Sequence, residues 1–191
     1  LIGNEFERIS GRLNLDQDVG DRLRFGVGIN LVRSVLDRVS NDNAFATPLQ
    51  LVALAPTQPA FLEDGEPNPN TIYYNGLIEQ KYAGFSTSVF RSLGNINASY
   101  EFFPGFAFRS EFGTDLLDQR EEVFQGRRTL DGAPAGQGSS RAVRVFNYTT
   151  NNFFTFDRAF GNVHNLEAVL GMSYQRSQRD VTSLQARGFP T

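Results

Sequence analysis

The sequence predicts an all-β chain built from consecutive antiparallel hairpins, and three observations predict it. Apolar and polar residues alternate with period two in successive stretches, and short clusters of Gly, Pro, Asn and Asp join those stretches in pairs. No apolar run approaches the roughly 18 to 20 residues that a membrane-spanning helix needs.

The first stretch runs from Glu5 to Asp16, with Ile9, Gly11, Leu13 and Leu15 alternating against Arg8, Ser10, Arg12, Asn14 and Asp16. Turn residues Gln17 to Asp21 follow. Leu23, Phe25, Val27, Ile29 and Leu31 then resume one face, and Arg24, Gly26, Gly28 and Asn30 the other, which closes a hairpin. From Leu36 to about Ala83 the alternation is lost and polar turn residues dominate, as in Glu63 to Pro67, so a long loop is expected. Within it Thr47 followed by Pro48 has the form of an N-cap and first helical residue, and Ala55-Pro56 would end the short helix through Leu49, Leu51, Val52 and Leu54.

A second hairpin starts near Thr87. Phe90, Gly94, Ile96, Ala98, Tyr100 and Phe102 oppose Arg91, Asn95, Asn97, Ser99 and Glu101, and Phe103-Pro104-Gly105-Phe106 fits a type II turn. Its partner strand sets Phe106, Phe108, Phe112 and Leu116 against Arg109, Glu111, Gly113 and Asp115. Gln119 to Arg141 is expected to be a second polar loop. The third hairpin carries Phe146, Tyr148, Phe154 and Phe156, interrupted by Asn152, then a turn at Phe160-Gly161-Asn162-Val163, then Leu166, Ala168, Leu170, Met172 and Tyr174. Gln178 to Thr191 is expected to open as a polar loop.

Composition narrows the class. Of 191 residues, 13% are aromatic, with 18 Phe against 6 Tyr and no Trp, and 40% are hydrophobic, while mean hydropathy is negative, so apolar residues are spread out and not massed. Membrane barrels have this character, because their strands cross with about 9 to 11 alternating residues. A net charge of −3 with interspersed signs offers no basic stripe for nucleic acid. Without cysteine there is neither a disulfide framework nor a thiolate metal site.

Loop lengths favour the barrel. The three turns near Val19, Pro104 and Asn162 are short, and every opposite connection is long, the arrangement of outer-membrane barrels with tight periplasmic turns and elaborated external loops. Phe102, Phe103, Phe106, Phe156 and Phe160 gather beside the short turns, where an interfacial girdle belongs. A soluble extracellular β-sandwich with ligand-binding loops is the rival, since alternation alone does not say which face is the inside. If the wall is membranous, Leu13, Phe25, Phe112 and Leu170 must not converge on a shared dry interior.

The chain resembles the SusC-like TonB-dependent transporters of Bacteroidetes outer membranes. The matching residues are Glu7 to Asp16, Leu23 to Gly26, Ala55 to Pro59, Phe103 to Arg109, Asn165 to Gly171, and Gly188-Phe189-Pro190, which together span nearly the whole chain. The resemblance implies a large transmembrane β-barrel of 22 strands with long extracellular loops, a plug, a SusD-like surface lipoprotein partner, and energy from the TonB complex. Residues 1–191 would be about six strands of that wall, an excerpt without plug, TonB box or barrel termini. A passive porin-like barrel is the alternative within the membrane class.

No enzyme chemistry is legible. His164 is the only histidine, so neither a His-based triad nor a multi-histidine metal site can be built, and no cofactor is expected. Gly132 to Ser140 lacks the ending of a phosphate loop. Asp115, Asp118, Glu121 and Glu122 could hold a hard cation, with solvated charge as the default. Phe61, Tyr73, Tyr74 and Tyr82 are the candidate contacts for an oligosaccharide or peptide cargo, against the plainer role of packing the loop.

Overall fold

The computed structural model describes residues 3–39, 52–161 and 163–189. They form a single antiparallel sheet of six strands in sequence order: β1 (Glu5–Val19), β2 (Leu23–Arg38), β3 (Ala83–Phe103), β4 (Phe106–Gln125), β5 (Gln137–Phe160) and β6 (His164–Arg187). A short helix, α1 (Gly76–Tyr82), lies in the β2–β3 connection. The strands reach 24 residues, about 80 Å of extended chain at the usual rise, far more than a hydrocarbon layer of about 30 Å requires.

Three expectations about extent are corrected. The loop expected from Leu36 to Ala83 is strand as far as Arg38, the loop expected from Gln119 to Arg141 shrinks to residues 126–136, and the tail from Gln178 is strand to Arg187. The physical reason is an inversion of contrast. In these outer reaches Asp118, Arg120, Glu122, Arg144 and Asp180 continue the apolar face, whereas Val89, Leu117, Val143, Val145 and Val181 lie on the polar one. Alternation persists there with its sign reversed.

The helix expected from Thr47 and Pro48 through Leu49 and Leu51 lies largely outside the described residues; Val52 and Ala53 are helical, and a turn closes from Gln58 N–H to Ala55 O at 3.0 Å. Sequence reasoning missed α1. Its cap is Asn75, whose side-chain oxygen accepts from Leu77 N–H.

All three short turns contain a glycine in the left-handed region: Gly20 (φ 62°), Gly105 (φ 85°) and Gly161 (φ 65°). Asn162 of the third turn lies outside the described residues. At Gly105 a second constraint acts, because its carbonyl accepts from Asp157 N–H at 2.8 Å and a Cβ there would lie 2.1 Å from Asp157 O.

The register places every apolar face on one side of the sheet. One rung runs Leu15, Val27, Ile96, Phe112, Thr150, Tyr174, and another Val19, Leu23, Tyr100, Phe108, Phe154, Leu170. Asn152, the polar interruption, is satisfied on that side by Ser110 Oγ–H donating to its oxygen (2.7 Å) and by its own amide donating to Thr150 Oγ1 (3.0 Å). A greasy surface tolerates an amide that is bonded to neighbours. Near the short turns, Phe106 packs against Phe103, Phe102 and Phe154 with ring centroids 5.1, 5.5 and 5.7 Å apart.

None of the described residues covers this apolar side. Leu13, Phe112 and Leu170 are 65%, 43% and 75% exposed, so they do not converge on a dry interior. The only buried hydrophobic residues among those described are Ile78 of α1 and Phe85 of β3, at the loop end of the sheet.

The upper border of the apolar band crosses the rungs obliquely. On β1 the last apolar residue before charge is Ile9, followed by Glu7; on β6 it is Tyr174, followed by Arg176, and Tyr174 stands level with Leu15, six residues lower on β1. The descent is uneven, most of it falling between β5 and β6. Its total agrees with barrel geometry: strands about 4.8 Å apart and tilted by about 40° shift by roughly 1.2 residues each, or about six over five steps. Between that border and the short turns the apolar side carries no Asp, Glu, Lys, Arg or His except Arg158 and His164, both beside the third short turn.

Candidate functional site: the polar wall and the loop cluster

The side opposite the apolar band is amide-rich. Consecutive rungs bring together Asn14, Gly28, Asn95, Gly113 and Thr149, then Arg12, Asn30, Leu93, Asp115 and Asn147. Because glycines alternate with asparagines along the first rung, the wall has a depression there of about 310 Å³, lined by Arg12, Asn14, Asn30, Asn95, Asp115, Asn147 and Thr149. Several charges on this side are paired, either between strands or along one strand. Arg91 forks onto Asp115 through Nε (3.0 Å) and Nη2 (2.8 Å), and Arg109 meets Glu111 at 2.8 Å. Asn151 donates to Glu111 at 3.5 Å and accepts from Ser173 at 2.7 Å. Such a surface offers hydrogen bonds without fixed net charge, as a lumen that passes a polar solute requires.

At the loop end, the β2–β3 and β4–β5 connections interlock. Asn75 is fully buried, and its amide donates to Ala60 O (2.8 Å) and Asn68 O (3.1 Å) while its oxygen caps α1. Thr129, buried in the opposite loop, donates to Gly126 O and accepts from Gly132 N–H. Gly126 N–H reaches Tyr82 O at 2.8 Å, and Leu130 N–H reaches the Tyr74 hydroxyl at 3.2 Å. Glu66 ties the two loops together: it accepts from Lys81 at 2.7 Å, from the Tyr82 hydroxyl, and from Arg128 at 3.3 Å.

These contacts shift the carboxyl groups in opposite directions. Hydrogen bonds from Lys81 and Tyr82 hold Glu66 below the usual carboxylate range. Burial pushes Glu79 up, the neighbouring Asp131 charge adds to that, and the Tyr74 hydroxyl opposes it. Glu79 Oε2 is buried and has no hydrogen-bond partner among the described residues. Burial likewise raises Tyr74.

Of the aromatic residues singled out in the sequence, Phe61 and Tyr73 expose about half their surface (52% and 51%), Phe61 also bridging to Pro67. Tyr74 and Tyr82 are half-buried and hold the loops together. The structure does not bring the four rings to one place as stacked pairs, and Tyr82 is instead flanked by the cations Lys81 and Arg128, 5.6 and 5.0 Å from its centroid. Alternation divides the acidic candidates: Asp115 and Glu121 face the polar side, paired with Arg91 and Arg38, whereas Asp118 and Glu122 face the other. His164 opens β6 and is exposed. Sequence reasoning missed the Glu66–Lys81–Arg128 cluster, since Glu66 and Arg128 lie 62 positions apart. It also missed the asparagine rungs, although their residues were legible as the polar half of each alternation.

The TonB-dependent receptor P3 of Formosa agariphila is 27% identical over 205 residues, covering 100% of this chain and 20% of the receptor, and receptor P26 of the same organism is 25% identical over 198 residues, covering 96% and 19%. The chain thus spans about a fifth of the length of these curated relatives. No family model matches. Among solved structures, the RagAB peptide importer in its closed-closed state superposes with a TM-score of 0.73 at 22% identity, covering 98% of this chain and 22% of that one; the RagAB peptide transporter gives 0.71 at 21%, with the same coverage. The family resemblance carried by the residues is therefore borne out: over its whole length this chain is similar in sequence to TonB-dependent receptors and in fold to part of a RagAB importer.

Proposed function

We propose that this chain is a stretch of wall from an outer-membrane, TonB-dependent importer of oligosaccharides or peptides, working with a SusD-like surface lipoprotein and performing no covalent chemistry. The observation that carries the reading is the apolar band on one side of all strands, interrupted by charge-bearing side chains only at Arg158 and His164 beside the third short turn, with a border that descends between β1 and β6 by the total that tilted barrel strands require. The apolar side meets lipid, the asparagine-rich side faces the passage, and the interlocked loops stand outside the cell. The names of the relatives, receptors and importers, support transport in place of catalysis. Phe61 and Tyr73 expose their rings on the loop that cargo meets first, with Tyr74 and Tyr82 behind them.

Orientation is the testable core of this reading. The stretch has no cysteine, so single cysteines at Phe112 and Leu170, and at Asn95 and Asn147, in the full-length protein give a clean contrast. In reconstituted bilayers the first pair should be quenched by nitroxide-labelled acyl chains and resist a charged maleimide, and the second pair should do the reverse. Rapid labelling of Leu170→Cys by the charged reagent would refute a lipid-facing band. Uptake that persists unchanged when TonB is deleted would refute active import and leave a passive barrel.

A further inference from the structure

A cleft at the loop end is explained neither by the wall nor by the passage. Its lining includes Glu66, Lys81, Tyr82, Phe124, Arg127 and Arg128, and its volume is about 650 Å³. Phe124 pairs with Gly84 across β3 and β4, and the β3–β4 register is unbroken from there to Ile96 and Phe112, so Phe124 stands on the same side of the sheet as the apolar band. The cleft therefore opens on the outside of the wall, away from the passage. Phe124 lies eight residues beyond Leu116, where the continuous apolar band ends on β4 before Asp118. At the usual rise and tilt this is about 26 Å along the strand and about 20 Å above the hydrocarbon, past a headgroup layer of roughly 5–8 Å. This height rests on the importer reading above; the chemistry of the cleft does not.

The cleft is cationic and aromatic together. Three cations face one carboxylate, and Glu66 is shared between Lys81 and Arg128, so the lining residues carry two positive charges in excess. Arg127 donates through Nε to Phe189 O at 2.6 Å, leaving the outer edge of its guanidinium group to a ligand. Tyr82 and Phe124 supply rings, the latter edge-on to Phe189 at 5.4 Å. A guanidinium fork recognises a carboxylate, sulfate or phosphate bidentately, an aromatic ring covers the C–H face of a pyranose, and a carboxylate such as Glu66 accepts from sugar hydroxyls. We infer that this cleft is an exterior binding site for an acidic saccharide, either a soluble oligosaccharide arriving at the cell or a glycan of the surrounding membrane surface.

The test uses the full-length protein in phospholipid nanodiscs and titration calorimetry with trigalacturonate, maltotriose and triglutamate. Trigalacturonate should bind saturably, and maltotriose at least about tenfold more weakly, as expected for the loss of charge-assisted contacts. Arg127→Gln should weaken trigalacturonate at least about tenfold, and Arg127→Lys should restore part of that loss at an unchanged unfolding temperature, which separates ligand contact from loop stability. Acidic glycolipid purified from the host outer membrane forms the second arm: competition with trigalacturonate assigns the site to the membrane glycan, and its absence assigns it to the soluble ligand. Equal binding of maltotriose, tighter binding of triglutamate, indifference to Arg127→Gln, or no saturable binding would each overturn the inference. The cysteine-labelling result at Leu170 is read independently, so failure here and failure of the importer reading are distinguishable.

Discussion

The wall and the loop cluster of this molecule are held together by different forces. In the wall, backbone ladders run through strands of up to 24 residues and both faces stay open, β1 and β6 being exposed at every residue. The buried side chains among the described residues gather at the loop end, and most of them are polar: Asn68, Asn75, Glu79, Gln125 and Thr129 beside Ile78 and Phe85. A sheet that leaves its apolar side uncovered relies on its surroundings to be apolar, whereas loops that bury part of their backbone against one another must satisfy those polar groups internally. The two regions should therefore respond to opposite kinds of substitution.

The largest expected effect lies in the wall. Phe112→Arg places a charge at the middle of the apolar band and should destabilise the full-length barrel in lipid by about 2–4 kcal/mol, while Gln175→Arg on the polar side should stay within about 0.5 kcal/mol. Urea unfolding in lipid vesicles checks the contrast; equal costs for both would dissolve the distinction between faces. Gly105→Val comes next. It forces a branched side chain into a left-handed turn and against Asp157 O, and should cost more than about 2 kcal/mol or lower the yield of assembled barrel. In the loop cluster, Asn75→Ala removes a helix cap and two buried hydrogen bonds. It should raise the free energy of the closed loops by about 2 kcal/mol, seen as faster hydrogen exchange in residues 60–82 with the strand ladders unchanged.

The same contrast explains what the sequence made legible. Strand faces could be read wherever apolar and polar residues alternate strongly, as from Leu23 to Leu31 or Phe106 to Leu116, because lipid on one side and water on the other impose that pattern. Beyond the band the constraint changes sign, and Val143 and Val145 opposite Arg144 no longer advertise a strand paired with β4. The helix α1 went unread because Asn75 is one polar residue among many in its loop, and only its burial reveals it as a cap. Contacts between loops, such as Leu130 with Tyr74, have no periodicity at all, since they depend on which strands the register sets side by side. The exposed rings of Phe61 and Tyr73 were legible as loop aromatics; the cations around Tyr82 were not.

The smallest effect sharpens the account of the loop cluster through pH. The folded pKa of Glu79 is raised, so its neutral form is favoured by folding: the stabilisation is complete below the unfolded carboxylate value and is lost as pH rises through the folded one. Glu66 works the other way, its lowered pKa giving stability above the ordinary value that is lost as pH falls. Around Glu79 stand the Tyr74 hydroxyl and Asp131, with Arg38 lining the same depression. Hydrogen exchange of residues 74–82, followed from mildly acidic to mildly alkaline pH and corrected for intrinsic rates, should therefore show the loops loosening toward alkali. Glu79→Gln should flatten that rise, since an amide keeps the neutral shape without a proton to lose. Asp131→Asn should end the rise at lower pH and make it smaller, because removing the like charge that opposes ionisation lowers the folded pKa of Glu79. A profile identical in all three proteins would mean that Glu79 is solvated in the working molecule and that the loops are tied by Glu66 and Asn75 alone.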